Sequence, residues 1–186
     1  TFSDFTNANH DHGDADDGGN IPSTSVTGLG WVWLATASPS GVGSVSFDSV
    51  FTSTYKRYKI LFELSIADAN VGFNMRLRVG GSDSSTAVYA YHGWLVTGGA
   101  ASAASAAVTQ TLFLLMGGGG GANTITDVSG EIMVSNPQAT DETQITFNVT
   151  CRYSAPAYQS NTGGGTYNAP TSYDGFTFFP TTGNLT

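Results

Sequence analysis

Residues able to bind a metal or drive catalysis are few in this chain, and the most closely spaced are His10 and His12 in the run Asn9-His10-Asp11-His12-Gly13-Asp14. In an extended strand, residues i and i+2 project to the same side. Three copies of this segment gathered about one axis would therefore offer both imidazoles of every copy to a single metal ion. Two solvated histidines in a loose arm fit the same residues, because His-x-His is a short signal. The neighbouring Asp14-Ala15-Asp16-Asp17-Gly18 has carboxylates that suggest calcium, yet it lacks the glycine spacing and the closing bidentate Glu of an EF-hand loop.

Nucleophilic catalysis has little to stand on. There is no Gly-x-Ser-x-Gly turn, and beyond the arm His92 is the one histidine left to serve as a base. Tyr91-His92-Gly93-Trp94 reads as a strand position bordered by aromatics. The remaining acids (Asp48, Glu63, Asp68, Asp83, Asp127, Glu131, Asp141, Glu142 and Asp174) fall mostly in expected turns or on outward faces. They do not form the pair flanking a cleft that glycoside hydrolysis needs. Gly117 to Gly121 is not followed by Lys-Ser/Thr, so it is no phosphate cradle. No catalytic residue is assigned.

Binding has better material. Trp31, Trp33, Trp94, Tyr89, Tyr91, Tyr158, Tyr167 and Tyr173 present flat apolar rings with a polar edge, which suits sugar stacking as well as a core or a subunit interface. Tyr158 and Tyr167 flank Ser160 to Thr166, a stretch with Gly163-Gly164-Gly165 that reads as a loop, and they are the expected ligand-binding residues. Asn148-Val149-Thr150 and Asn184-Leu185-Thr186 match the glycosylation triplet, a pattern common by chance.

The elements that would position these residues are strands. At 186 residues, with 40% hydrophobic and 12% aromatic side chains, the chain can bury one domain-sized core. Tyr58, Ile60, Phe62, Leu64 and Ile66 alternate with more polar neighbours, as do Phe73, Met75, Leu77 and Val79, and then Ile145, Phe147, Val149, Cys151 and Tyr153. This period of two marks half-buried antiparallel strands. Asp68-Ala69-Asn70 turns the chain between the first two. Trp31 to Thr36 reads as the first core strand, and weaker candidates are Ser44 to Val50, Ala87 to Val96, Thr109 to Leu115, Gly130 to Val134 and Phe176 to Phe179, about nine strands in all.

Ala100 to Val108 has helix formers but no caps, and reads as a loop at a hairpin tip, as does Gly117 to Gly121. Short strands with Gly-rich turns and no helices predict an all-β fold, an antiparallel two-sheet sandwich of jelly-roll-like form over residues 29–186. Residues 1–28, rich in Asp and Gly and without apolar periodicity, predict an extended N-terminal arm.

Composition also excludes partners. A net charge of −8 with six Lys plus Arg cannot hold a phosphate backbone, so no nucleic acid is expected. No apolar run approaches the ~20 residues of a membrane-spanning helix, so no membrane insertion is expected. Cys151 is the single cysteine, which rules out an intrachain disulfide, and its place in step with Val149 reads as a buried apolar side chain. Thr1-Phe2-Ser3-Asp4 lacks an initiator Met and the head of a secretion signal, and reads as the start of a fragment or of the ordered part of a longer chain.

The arm and strands together resemble modules of bacteriophage tail fibres and related virion appendages. The residues that carry the resemblance are Asn9-His10-Asp11-His12-x-Asp14-Ala15, Gly18-Gly19-x-Ile21-Pro22, the Trp-led segment, Ser53-Thr54-Tyr55-x-x-Tyr58-x-Ile60 and Met75-Arg76-Leu77-Arg78-x-Gly80-Gly81. Ser129-Gly130-Glu131-Ile132 and Phe176-x-Phe178-x-Pro180-x-x-Gly183-Asn184 add to it. The resemblance implies a homotrimer on the surface of the virion that meets a host cell-surface glycan and joins other virion proteins through its arm. It implies His10 and His12 as ligands of a transition metal ion, iron or zinc, on the three-fold axis, and nothing catalytic.

Such sequences usually continue past Gly-Asn-Leu-Thr into a final strand ending Val-Tyr-Gly. This one stops at Thr186, so that strand is cut, missing or supplied by another chain. A head-decoration or capsid-stabilising protein and a polysaccharide depolymerase are the alternative functions.

Overall fold

Where apolar and polar residues alternate most cleanly, the chain forms the strands that carry both sheets. A computed structural model describes residues 30–66, 68, 71–98, 103–117, 126–154 and 157–186. The chain divides into two units, Thr1–Leu34 and Ala35–Thr186. His10, His12 and the Asp14 to Gly18 stretch lie outside the described residues.

In the first unit, Trp31 to Leu34 form no strand. Trp31 is 66% and Trp33 76% exposed, so the expectation of a first core strand here is corrected. Trp31-Val32-Trp33-Leu34 is apolar on both would-be faces, which gives no preferred side to bury, and no strand pairs with it among the described residues.

The second unit is all-β, with no helix among the described residues. Its strands are β1 (Val45–Phe47), β2 (Arg57–Leu64), β3 (Phe73–Val79), β4 (Ser82–Asp83), β5 (Tyr89–Thr97), β6 (Ala103–Gln110), β7 (Phe113–Met116), β8 (Thr126–Ser135), β9 (Thr143–Ser154), β10 (Ala157–Tyr167) and β11 (Gly175–Pro180). All pairings are antiparallel. One sheet runs β1-β11-β3, with β4 and β7 also on β3, and the other runs β2-β8-β9-β10-β5-β6. The chain crosses between the sheets from β1 to β2, β2 to β3, β4 to β5, β6 to β7, β7 to β8 and β10 to β11, in the manner of a jelly roll. The place of the single strand that would lie between β2 and β5 is taken by the meander β8-β9-β10.

Aromatic side chains from both sheets fill the space between them. Phe62 of β2 lies 5.2 Å from Phe73 and 5.3 Å from Phe178, which are themselves 5.1 Å apart. At the other side Tyr89 packs on Phe113 at 4.7 Å and on Tyr167 at 4.2 Å, and Tyr167 on Tyr173 at 5.0 Å. Buried phenols need partners. The Tyr89 hydroxyl donates to the Ser84 carbonyl at 2.7 Å and accepts from the Leu77 amide at 3.0 Å. On the other face of the first sheet, Arg78 Nε pairs with Asp48 at 2.7 Å, and its Nη1 pairs with Asp83 and donates to Thr177 at 2.9 Å. That cluster binds β3, β4 and β11 to the residue just after β1, and it gives Asp48 and Asp83 a structural occupation.

Two expected loops are strands. Ala103–Gln110 pairs with β5 as an edge strand, where the absence of bulky side chains weakened the strand signal. Ser160 to Thr166 lies inside β10, paired on both sides. Its glycines are there because neighbours leave no room. A Cβ on Gly163 would stand 2.1 Å from the His92 carbonyl oxygen, and one on Gly165 would stand 2.9 Å from the Phe113 ring.

Candidate functional site

Register across the six-stranded sheet assigns each side chain to a face. One outward row runs Lys59, Met133, Thr146, Gly164, His92 and Ala106, and the next runs Leu61, Glu131, Asn148, Thr162, Trp94 and Ala104. Farther along lie Thr150, Ser160 and Val96, then Arg152 and Tyr158. The opposite face, with Phe147, Val149, Cys151, Tyr89 and Tyr167, is buried.

The outward face is dominated by hydroxyls, amides and a few exposed rings. Trp94 is 54% and Tyr158 62% exposed. Thr162 Oγ1 donates to Asn148 Oδ1 at 3.1 Å, and Thr150 and Ser160 hydroxyls are 3.1 Å apart. Because Gly164 has no side chain, a shallow hollow of about 570 Å³ opens above it. Its rim includes His92, Thr146, Thr166, Ala106 and Val108. Charges stand toward the β2 side and the strand ends: Lys59 pairs with Glu131 at 2.7 Å, and Arg152 approaches Asp127 at 3.9 Å. Flat rings with nearby hydroxyl and amide groups can stack on a sugar and exchange hydrogen bonds with its edge.

The two expected ligand-binding tyrosines part company. Tyr158 stands on the outward face. Tyr167 is 1% exposed, packed between Tyr89 and Tyr173, with its hydroxyl 2.6 Å from Ser84 Oγ. Its assignment to a ligand is therefore corrected: Tyr158 and Tyr167 are nine positions apart, an odd step, which puts them on opposite faces of one strand. Tyr89 and Tyr173 are likewise buried. Burial pushes the Tyr173 phenol up to about 12, with Tyr167 as a lesser cause, and it raises Tyr91.

Cys151 is buried, and its thiol is pushed up to about 12 by the same desolvation, which makes it a packing group rather than a nucleophile. Among the described residues no group of three or more His, Cys, Asp or Glu is arranged to hold a metal ion. Also among them, no helix is long and apolar enough to cross a membrane.

Trp94 was legible as a candidate, but His92, Thr146 and Thr162 were not singled out as its companions. The available signal was the alternation Tyr158, Ser160, Thr162, Gly164, Thr166 in β10, visible once glycine counts as compatible with a central strand. No family model matches the chain, and no curated protein or solved structure matches it.

Proposed function

We propose that this chain is a non-enzymatic adhesive module of a virus particle, of the tail-fibre kind, which acts as a homotrimer and binds a glycan on the host cell surface. The observation that carries the reading is the outward face of the six-stranded sheet, where exposed rings stand among hydroxyls and amides. In this proposal the binding surface is that sheet face rather than the Gly-rich loops, since Ser160 to Thr166 is strand. The arm joins the module to other virion proteins, and His10 and His12 of three copies hold iron or zinc on the shared axis. Three weak sites on one trimer would raise avidity without strong individual contacts.

Mass measurement in solution at physiological salt, combined with attachment to a panel of bacterial strains, tests the proposal. A trimer that attaches to some strains is the expected result. A stable monomer at micromolar concentration, or attachment to none, would overturn it. Release of reducing ends from a host polysaccharide would replace it with a depolymerase.

A further inference from the structure

Exposed apolar side chains are not spread evenly over the second unit. Of the eight large ones exposed there among the described residues, Leu61, Trp94, Val96, Val108 and Tyr158 project from the outward face of the six-stranded sheet, while Val42, Tyr55 and Val79 lie elsewhere. On β9, β10, β5 and β6 that face carries one charged side chain, Arg152, near the end of β9. The whole chain has a net charge of −8, so a patch this free of charge is conspicuous. An anionic partner would meet long-range repulsion from the chain without a cluster of Lys or Arg to receive it.

Strand geometry sets the scale of the patch. From Tyr158 to Thr166 along β10 and from β9 to β6 across, it measures about 26 by 14 Å, roughly 370 Å². A stable protein interface buries about 800 Å² per partner. A second copy would also press Thr146, Asn148, Thr150, Ser160 and Thr162 into a dry contact, where the hydrogen-bonding capacity left over from the Thr162–Asn148 and Thr150–Ser160 pairs would go unmet. A partner rich in hydroxyls of its own would satisfy them. The hollow over Gly164, the Trp94 ring one row on and the Tyr158 ring farther along follow one another in the strand direction, so the occupant is elongated.

We infer that this face seats an uncharged oligosaccharide, with Trp94 and Tyr158 as its stacking positions and the hollow over Gly164 receiving a ring substituent. The inference rests on the adhesive reading and adds to it the stacking positions within that face and the class of sugar.

The test uses the full chain on a printed panel of neutral oligosaccharides (hexose, deoxyhexose and N-acetylhexosamine) and acidic ones (uronate, sialate and sulfate esters). Attachment to bacterial strains is scored in parallel. The variants are Trp94→Ala and Thr146→Tyr, the second filling the hollow from an exposed position, with Val42→Thr as a distant control. Wild type and control are expected to bind neutral probes, and each site variant to lose at least tenfold in affinity while its urea midpoint stays that of the wild type. Thr146→Tyr keeps the test open if Trp94→Ala does not fold.

Preference for acidic probes would overturn the inference. So would unchanged neutral binding by both variants while cells are still bound, which would leave the adhesive reading standing. A Trp94→Ala chain that keeps its sugar affinity but loses its oligomeric mass would make the face a contact between copies. Failure of the wild type to bind any probe or any strain would sink both proposals.

Discussion

Replacing Gly163 by alanine distinguishes a glycine that loosens a loop from one that lets two strands approach. The new Cβ would stand 2.1 Å from the His92 carbonyl oxygen and 2.7 Å from Gly93 Cα. An ordinary C···O contact is about 3.3 Å, so β10 and β5 would have to part locally by about 1 Å. Backbone, not a pliable side chain, stands in the way. Overpacking of this kind costs about 1–3 kcal/mol, and weakening two ladder hydrogen bonds adds roughly 1–2 kcal/mol.

The expected loss is therefore about 2–5 kcal/mol, a large part of the 5–15 kcal/mol typical of a folded domain. In a free loop the same change would stabilise by about 0.4–1 kcal/mol through the unfolded chain. The two readings differ in sign. Urea unfolding followed by tryptophan fluorescence measures it, with Gly43→Ala, whose Cβ would meet nothing closer than Asn184 Oδ1 at 3.9 Å, as the neutral control. A Gly163→Ala midpoint at or above that of the wild type would refute the strand account of Ser160 to Thr166.

Further expectations concern the core and its titrating groups. Phe178→Ala removes a ring packed on Phe62, Phe73 and Phe176. It should cost about 3–5 kcal/mol, and a loss under 1 kcal/mol in the same urea assay would contradict the packing. Cys151 should react with a thiol reagent at pH 8 only at the rate of unfolding, and labelling as fast as a free cysteine would contradict its burial. Its raised pKa means that this group's contribution to stability is whole below about pH 9 and is lost as pH rises from there toward 12, because the unfolded chain gives up the proton first. A thermal midpoint that climbs between pH 9 and pH 11 would run against that sign.

The fold class was legible wherever packing imposed alternation. β2, β3 and β9 stand within a residue or two of the alternating runs centred on Phe62, Met75 and Val149, since a half-buried strand leaves its period in the sequence. β10 was hidden because glycine at 163 and 165 answers to the closeness of neighbouring strands, an interstrand fact with no local signature. β6 was hidden for a related reason: Ala106 and Ala107 sit on opposite faces, yet both are alanine. Trp31 to Thr36 erred the other way, since aromatic content alone does not supply a partner strand.

At the candidate site Tyr158 and Trp94 were readable as available rings. The burial of Tyr167 depended on knowing that it shares a strand with Tyr158. The Arg78 cluster reaches Asp48, 30 residues earlier, and Thr177, 99 residues later, which no spacing rule reaches.

The place of β11 has a consequence for how the domain is made. It lies between β1 and β3, and its Phe178 is in register with Val45, 133 residues earlier. Until residues 175–180 have left the ribosome, β1 and β3 have no strand between them and each keeps an unpaired edge. Closing so long a loop delays the reward for forming the sheet. The emerging chain thus passes through a period in which Phe47, Phe73 and Met75 are synthesised but unsheltered. Folding should be slow, and its yield should fall as nascent chains become crowded.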